Sequence, residues 1–223
     1  MAAKFISGKG LENLTVTAHS GCLGLPDNSV ESMEAGVKAG AQMVEIDLSF
    51  DSLGLPVLSH DKVKEGEKYC PLSDVFEFLA SHPGIKANID VKDTSHLETV
   101  PGLAKEYSVA DRIFFTGICE KDVAAAKEKA PEIPYYLNAS CSRIFGIKKT
   151  VKKARDLGAI GINTNYRGLS KRLVTEAHEE GLLVSVWTVN SVRTAKFALE
   201  RKPDNITSRC PDLIFDTVKK YVR

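Results

Sequence analysis

The chain has 223 residues, a formal net charge of +1 and 43% hydrophobic side chains. That length suffices for one well-buried domain spanning residues 1–223. The near-zero charge gives no support to nucleic acid as the main partner, and no apolar run approaches the roughly 20 residues of a membrane span. Met1 to Lys9 lacks the apolar stretch of a secretory signal. Cys22, Cys70, Cys119, Cys141 and Cys210 are odd in number and form no Cys-x-x-Cys pair, so neither a zinc knuckle nor a disulfide framework is indicated. Reduced thiols, a cytoplasmic location and no stable membrane anchor are the expectations.

Leu14 to His19 is a β-branched run ending in a histidine. After a loop rich in Gly, Pro, Asp and Asn, Ser29 begins a helical stretch with Val30, Met33, Val37 and Ala41 at helical spacing. Val44 to Phe50 is a buried strand, a turn follows, and Val57 to Asp61 is a short strand carrying His60. Asp74 to Ala80 is helical, and Lys86 to Lys92 is a strand. The rhythm continues with helix 97–107, strand 112–116, helix 121–129, strand 134–138, helix 148–157 and strand 160–165. Ser170 caps a helix that Gly181 stops, 182–190 is a strand, and Ser191 caps the next helix. A short strand at 204–208 precedes a helix opened by Pro211.

About eight strand–helix units with no linker between them imply a parallel sheet with right-handed crossovers. Eight such units in this length are those of a compact TIM barrel, an α/β fold. A doubly wound open sheet is the rival; the first strand is not followed by the G-x-G-x-x-G of its dinucleotide-binding form.

In a barrel, chemistry sits at the C-terminal ends of the strands. Residues two apart on a strand share a face, so Glu45 and Asp47 point one way while Val44, Ile46 and Leu48 point the other. Two carboxylates about 6–7 Å apart on one strand face repel unless something positive lies between them. A hard cation such as Mg2+ or Ca2+ prefers such oxygen ligands. His19, His60, Asp90, Lys92 and Trp187 also fall at strand ends. Three carboxylates, two histidines and a lysine suit metal-assisted cleavage of a phosphodiester. Blander roles compete: a hydrogen-bonded structural histidine, a simple Asp90–Lys92 ion pair, a core tryptophan. Cys119 and Cys210 are expected to be packing residues, and His82, His96 and His178 surface residues.

The chain resembles the glycerophosphodiester phosphodiesterase family of TIM barrels over nearly its whole length. The matching pieces are Thr17-Ala18-His19 with Gly21, Pro26-Asp27-Asn28-Ser29 with Glu31, Val44 to Leu48, Gly54 to Asp61, Gly181 to Asn190, and Asp204 to Ser208 before Pro211-Asp212. The resemblance implies His19 and His60 as the catalytic pair, with His19 as base and His60 as acid. It implies Glu45, Asp47 and Asp90 as ligands of Mg2+ or Ca2+, and Lys92, Trp187, Ser20 and Asn28 as substrate contacts. The implied reaction hydrolyses a small-molecule glycerophosphodiester to glycerol 3-phosphate and an alcohol.

Three departures stand out. Ser20 occupies the place of an arginine, and a hydroxyl lacks its charge and fork. Asp90 is one methylene shorter than the family's glutamate. The segment between His60 and Asp74 is short. A phosphate-binding barrel without turnover, or a lysophospholipase D-like enzyme of the same family, are the alternatives.

Overall fold

The computed structural model describes residue 11, residues 13–139 and residues 146–221; Met1 to Lys9 and Cys141 lie outside the described residues. The strands are β1 (Thr15–Ala18), β2 (Met43–Phe50), β3 (Pro56–Leu58), β4 (Lys86–Val91), β5 (Ile113–Thr116), β6 (Tyr136–Ala139), β7 (Gly161–Asn165), β8 (Leu183–Trp187) and β9 (Asn205–Ser208). The helices are α1 (Val30–Lys38), α2 (Leu72–Ser81), α3 (Thr99–Glu106), α4 (Val123–Lys129), α5 (Ile147–Asp156), α6 (Lys171–Glu179), α7 (Val192–Leu199) and α8 (Pro211–Tyr221).

The strands run side by side in the order β5-β4-β2-β1-β9-β8-β7-β6, with β3 antiparallel on β2 and every other pairing parallel. An isolated parallel bridge between Phe115 and Tyr135 brings β5 beside the start of β6. The result is a nearly closed barrel of eight parallel strands alternating with helices, a TIM barrel rather than an open sheet.

Alternation along each strand separates two interiors. Val16, Val44, Ile46, Ile89, Ile162, Val184 and Ile206 are buried in one continuous apolar layer with the helices. The opposite faces of the same strands carry polar groups into the barrel. There the Asn205 Oδ1 accepts from the hydroxyls of Thr15 (3.0 Å) and Thr17 (2.8 Å), while its Nδ2 donates to the Ser185 Oγ at 3.0 Å. One amide thus staples β1, β8 and β9 from inside, and leaves none of its own buried polar atoms unpaired.

The expected punctuation is present. Ser29, Ser170 and Ser191 each accept a backbone N–H at the start of α1, α6 and α7. Two strands stop three residues before their expected C-terminal ends. The run 182–190 leaves the sheet after Trp187, because Asn190 turns back to accept the Arg209 N–H at 2.9 Å. β3 ends at Leu58, so His60 projects from a bend rather than a strand. Cys119 is exposed and not a packing residue. Among the described residues no helix is long and apolar enough to cross a membrane.

Gly117, just past β5, has a φ of +78°, and a Cβ there would lie 2.3 Å from the Val91 carbonyl oxygen. Gly117→Ala therefore combines left-handed strain with a backbone collision, for an expected loss of about 2–4 kcal/mol. Chemical denaturation checks this; an unchanged midpoint would show that the turn can move aside.

Candidate functional site

One cavity of about 470 Å3 opens at the C-terminal end of the barrel, and His19, Glu45, Asp47, His60, Asp90, Lys92 and Trp187 all line it. β2 and β4 are in register with Asp47 opposite Asp90, and Glu45 opposite Asn88. One oxygen from each of Glu45, Asp47 and Asp90 lies within 4.8 Å of the others. Glu45 and Asp47 are 5% and 4% exposed, so water solvates little of this charge.

Local structure fixes each carboxylate. The Ser20 N–H donates to the Glu45 Oε2 at 3.0 Å. The Asn28 Nδ2 donates to the Asp47 Oδ2 at 3.0 Å, and its Oδ1 accepts the Asp47 N–H at 2.9 Å. Asn28 reaches back this way because its φ is +56°, a left-handed conformation that asparagine tolerates. The Thr116 hydroxyl meets the Asp90 Oδ1 at 2.7 Å. Lys92 Nζ sits 3.0 Å from the Asp47 Oδ1 and also contacts the Asp90 Oδ2.

Burial pushes the Glu45 carboxyl well above the usual carboxylate range, and the negative charges of Asp47 and Asp90 push it further. Burial opposes the charge on Lys92, but Asp90 and Asp47 outweigh it and raise its pKa. The cluster holds three acids against one nearby ammonium. An all-oxygen, over-acidic set of this kind fits a hard divalent cation.

His19 follows β1, with its Nδ1 2.8 Å from the Ser20 carbonyl oxygen. A carbonyl only accepts, so Nδ1 carries the hydrogen and Nε2 keeps its lone pair. Burial, aided by the charge of Arg209, lowers the His19 pKa although the Ser20 carbonyl works against it. His60 is 70% exposed, with its Nδ1 3.0 Å from the Asp61 Oδ1.

Ser20 and Asn28 are not among the cavity-lining residues. Ser20 is 3% exposed, and its Oγ accepts the Asn28 N–H at 2.6 Å. In place of the substrate contacts expected of them, the two residues clamp Glu45 and Asp47 from behind. The cavity also contains groups that the sequence did not single out, chiefly Arg209, Asp27 and Asn163. Arg209 directly follows β9, so the strand-end rule alone could have found it. It pairs with Asp27 at 3.0 Å. Gly21 makes the space: at its φ of +73°, a Cβ would lie 2.0 Å from the Asp27 Oδ1 and 2.6 Å from the Arg209 guanidinium.

Residues 64–213 match the model of the Glycerophosphoryl diester phosphodiesterase family. A curated glycerophosphodiester phosphodiesterase of Caldanaerobacter subterraneus subsp. tengcongensis is 21% identical, over 92% of this chain and 98% of the relative. A glycerophosphodiester phosphodiesterase structure from Parabacteroides distasonis superposes with a TM-score of 0.79 at 17% identity, covering 95% of this chain and 99% of its own. A phosphodiesterase from Oleispira antarctica, solved with the product sn-glycerol-3-phosphate, gives a TM-score of 0.78 at 20% identity over 92% of this chain and 96% of its own. At these identities the structural likeness establishes the fold.

Because Glu45 is held charged only at a cost, Glu45→Gln should raise the melting temperature of the metal-free protein by several degrees near neutral pH. The raised carboxyl pKa makes this gain largest at high pH and smallest in acid, where Glu45 is protonated anyway. Added Mg2+ or Ca2+ should stabilise the unmutated protein and not the variant. Thermal melts with and without cation check both; equal stabilisation of the two proteins would remove Glu45 from the cation site.

Proposed function

The chain belongs to the glycerophosphoryl diester phosphodiesterase family, and from that premise we propose that it hydrolyses glycerophosphodiesters to glycerol 3-phosphate and an alcohol. The observation that carries this is the meeting, in one cavity, of three converging carboxylates and an imidazole whose Nε2 is free to accept a proton. Glu45, Asp47 and Asp90 hold a divalent cation, Mg2+ or Ca2+. Bound there, it supplies Lewis-acid neutralisation of phosphoryl charge.

The chain's own groups then divide the work. His19 is the base, since burial keeps its imidazole neutral and its Nε2 open. It takes the proton of the attacking oxygen as that oxygen bonds to phosphorus. His60, on the β3 side of the cavity, gives a proton to the departing alkoxide as the old P–O bond breaks. Lys92 presents an ammonium to the non-bridging oxygens from beside Asp90. Arg209, on the β9 side, supplies the guanidinium that Ser20 does not, and it exchanges Asp27 for the phosphate. Trp187 ends β8 at the mouth, 36% exposed, where its ring face meets the substrate. The site operates within a single domain in the cytoplasm.

A lysophospholipid substrate is the second reading. Leu23, Leu25, Leu53 and Leu55 are all exposed, on the loops that follow β1 and β2 at the cavity's end of the barrel. An acyl chain would cover them.

His19→Ala and His60→Ala should each lower kcat on glycerophosphoethanolamine by about 10²–10⁴ with the fold intact, and a chelator should stop release of glycerol 3-phosphate. Full activity in both variants would end the acid–base assignment, and failure of the unmutated protein to turn over any diester would favour a binding barrel. Arg209→Gln should weaken phosphate-ester binding by about tenfold, and release of glycerol 3-phosphate more slowly than of a lysophospholipid's cyclic phosphate would favour the second reading.

A further inference from the structure

We propose that Asn163 receives a hydroxyl of the substrate's polyol end and so selects glycerol-type esters; this rests on the phosphodiesterase reading above. Asn163 lies in the middle of β7, faces the barrel interior and lines the same cavity as the carboxylates. It is 4% exposed. Its Oδ1 has no hydrogen-bond partner, the one buried side-chain polar atom among the described residues left that way.

The orientation of its amide is not arbitrary. On the neighbouring strand, the Asn138 Oδ1 accepts the Gly117 backbone N–H at 3.1 Å, which identifies that atom as oxygen. The same oxygen faces the Asn163 amide at 3.1 Å, so the Asn163 group turned towards it must be the NH2. The other end, Oδ1, is therefore an acceptor that lacks a donor. Flipping the amide would set two oxygens against each other.

In the adjoining floor the Thr207 Oγ1 accepts from the Asn205 Nδ2 at 3.3 Å, and the Thr116 hydroxyl, whose one hydrogen serves Asp90, lies 2.7 Å from the Asn88 side-chain amide. A buried acceptor without a donor is costly. A ligand entering the cavity can relieve that cost only with a hydroxyl or another donor. A phosphate oxygen cannot, and an alkyl group would seal the acceptor in. The site built by these residues thus divides in two: cations at the rim for phosphate, and a buried, unpaired amide oxygen in the floor for an alcohol. A site that hydrogen-bonds a substrate hydroxyl rejects the analogue lacking it far more strongly than a merely apolar pocket rejects a smaller group.

The test is a four-way comparison by calorimetry in Mg2+ or Ca2+, using the unmutated protein and Asn163→Ala against sn-glycerol 3-phosphate and propyl phosphate. The two ligands share a three-carbon chain and differ in hydroxyls. The unmutated protein should bind glycerol 3-phosphate at least tenfold more tightly, and Asn163→Ala should shrink that preference to about twofold. Equal binding of the two ligands by the unmutated protein overturns the proposal whether or not the variant folds. So does a preference that survives in the variant, which would leave water as the group served by Oδ1. Binding of neither ligand would instead remove the phosphodiesterase reading on which the proposal rests.

Discussion

Everything at the mouth of this barrel answers to the repulsion among Glu45, Asp47 and Asp90. Register forces it: β2 and β4 pair so that Asp47 and Asp90 are opposite, and strand alternation sets Glu45 on the same inner face. Charges this close, and this poorly solvated, would be better protonated or separated. The fold keeps them in place with fixed partners: the Ser20 N–H, the Asn28 Nδ2, the Thr116 hydroxyl and Lys92 face the carboxylates as donors, and the Asn28 Oδ1 accepts the Asp47 N–H. Holding acids together against their repulsion costs stability, a cost that a cation bound among them would offset. Preorganisation for binding and a deficit of folding energy are here one feature.

The barrel supports that arrangement by keeping its apolar layer outside the sheet. Val44, Ile46 and Ile89 are fully or almost fully buried beneath the helices, while their strand neighbours Glu45, Asp47, Asn88 and Asp90 face inward. Apolar burial therefore stabilises the strands without filling the space the site needs. The inward groups stabilise one another through hydrogen bonds such as those around Asn205. They leave a cavity whose floor is polar and largely pre-paired.

Much of this was legible in the sequence because it follows from short-range rules. Period-two alternation in 44–50 and 86–92 put Glu45, Asp47 and Asp90 on inward faces, and serine caps and glycine stops marked the helices. The barrel followed from counting units. What was not legible depends on contacts distant in sequence or on unusual backbone. The part played by Asn28 requires a φ of +56° that no periodicity signals. The pairing of Asp27 with Arg209 joins opposite ends of the chain. The unpaired oxygen of Asn163 is defined only by what Asn138 and Gly117 do. Helix and strand patterns report which face a residue occupies; they do not report which of its atoms remain unpaired.

The serine at position 20 shows how a departure from the family pattern can be absorbed. Its hydroxyl accepts the Asn28 N–H in a site 3% exposed, so a long cationic side chain could not point inward here without leaving that N–H unpaired. Asn28 is in turn the residue that grips Asp47. A small hydroxyl at 20 thus favours placement of a carboxylate over a second charge near His19. The positive charge comes instead from the far end of the chain. Arg209 leaves β9 beside His19, and the missing side chain of Gly21 gives its guanidinium and Asp27 room to meet. Its charge is felt at His19, where it helps keep the imidazole neutral. A cation at that position favours an unprotonated imidazole at His19, a requirement that a residue at 20 locked onto Asn28 could not meet.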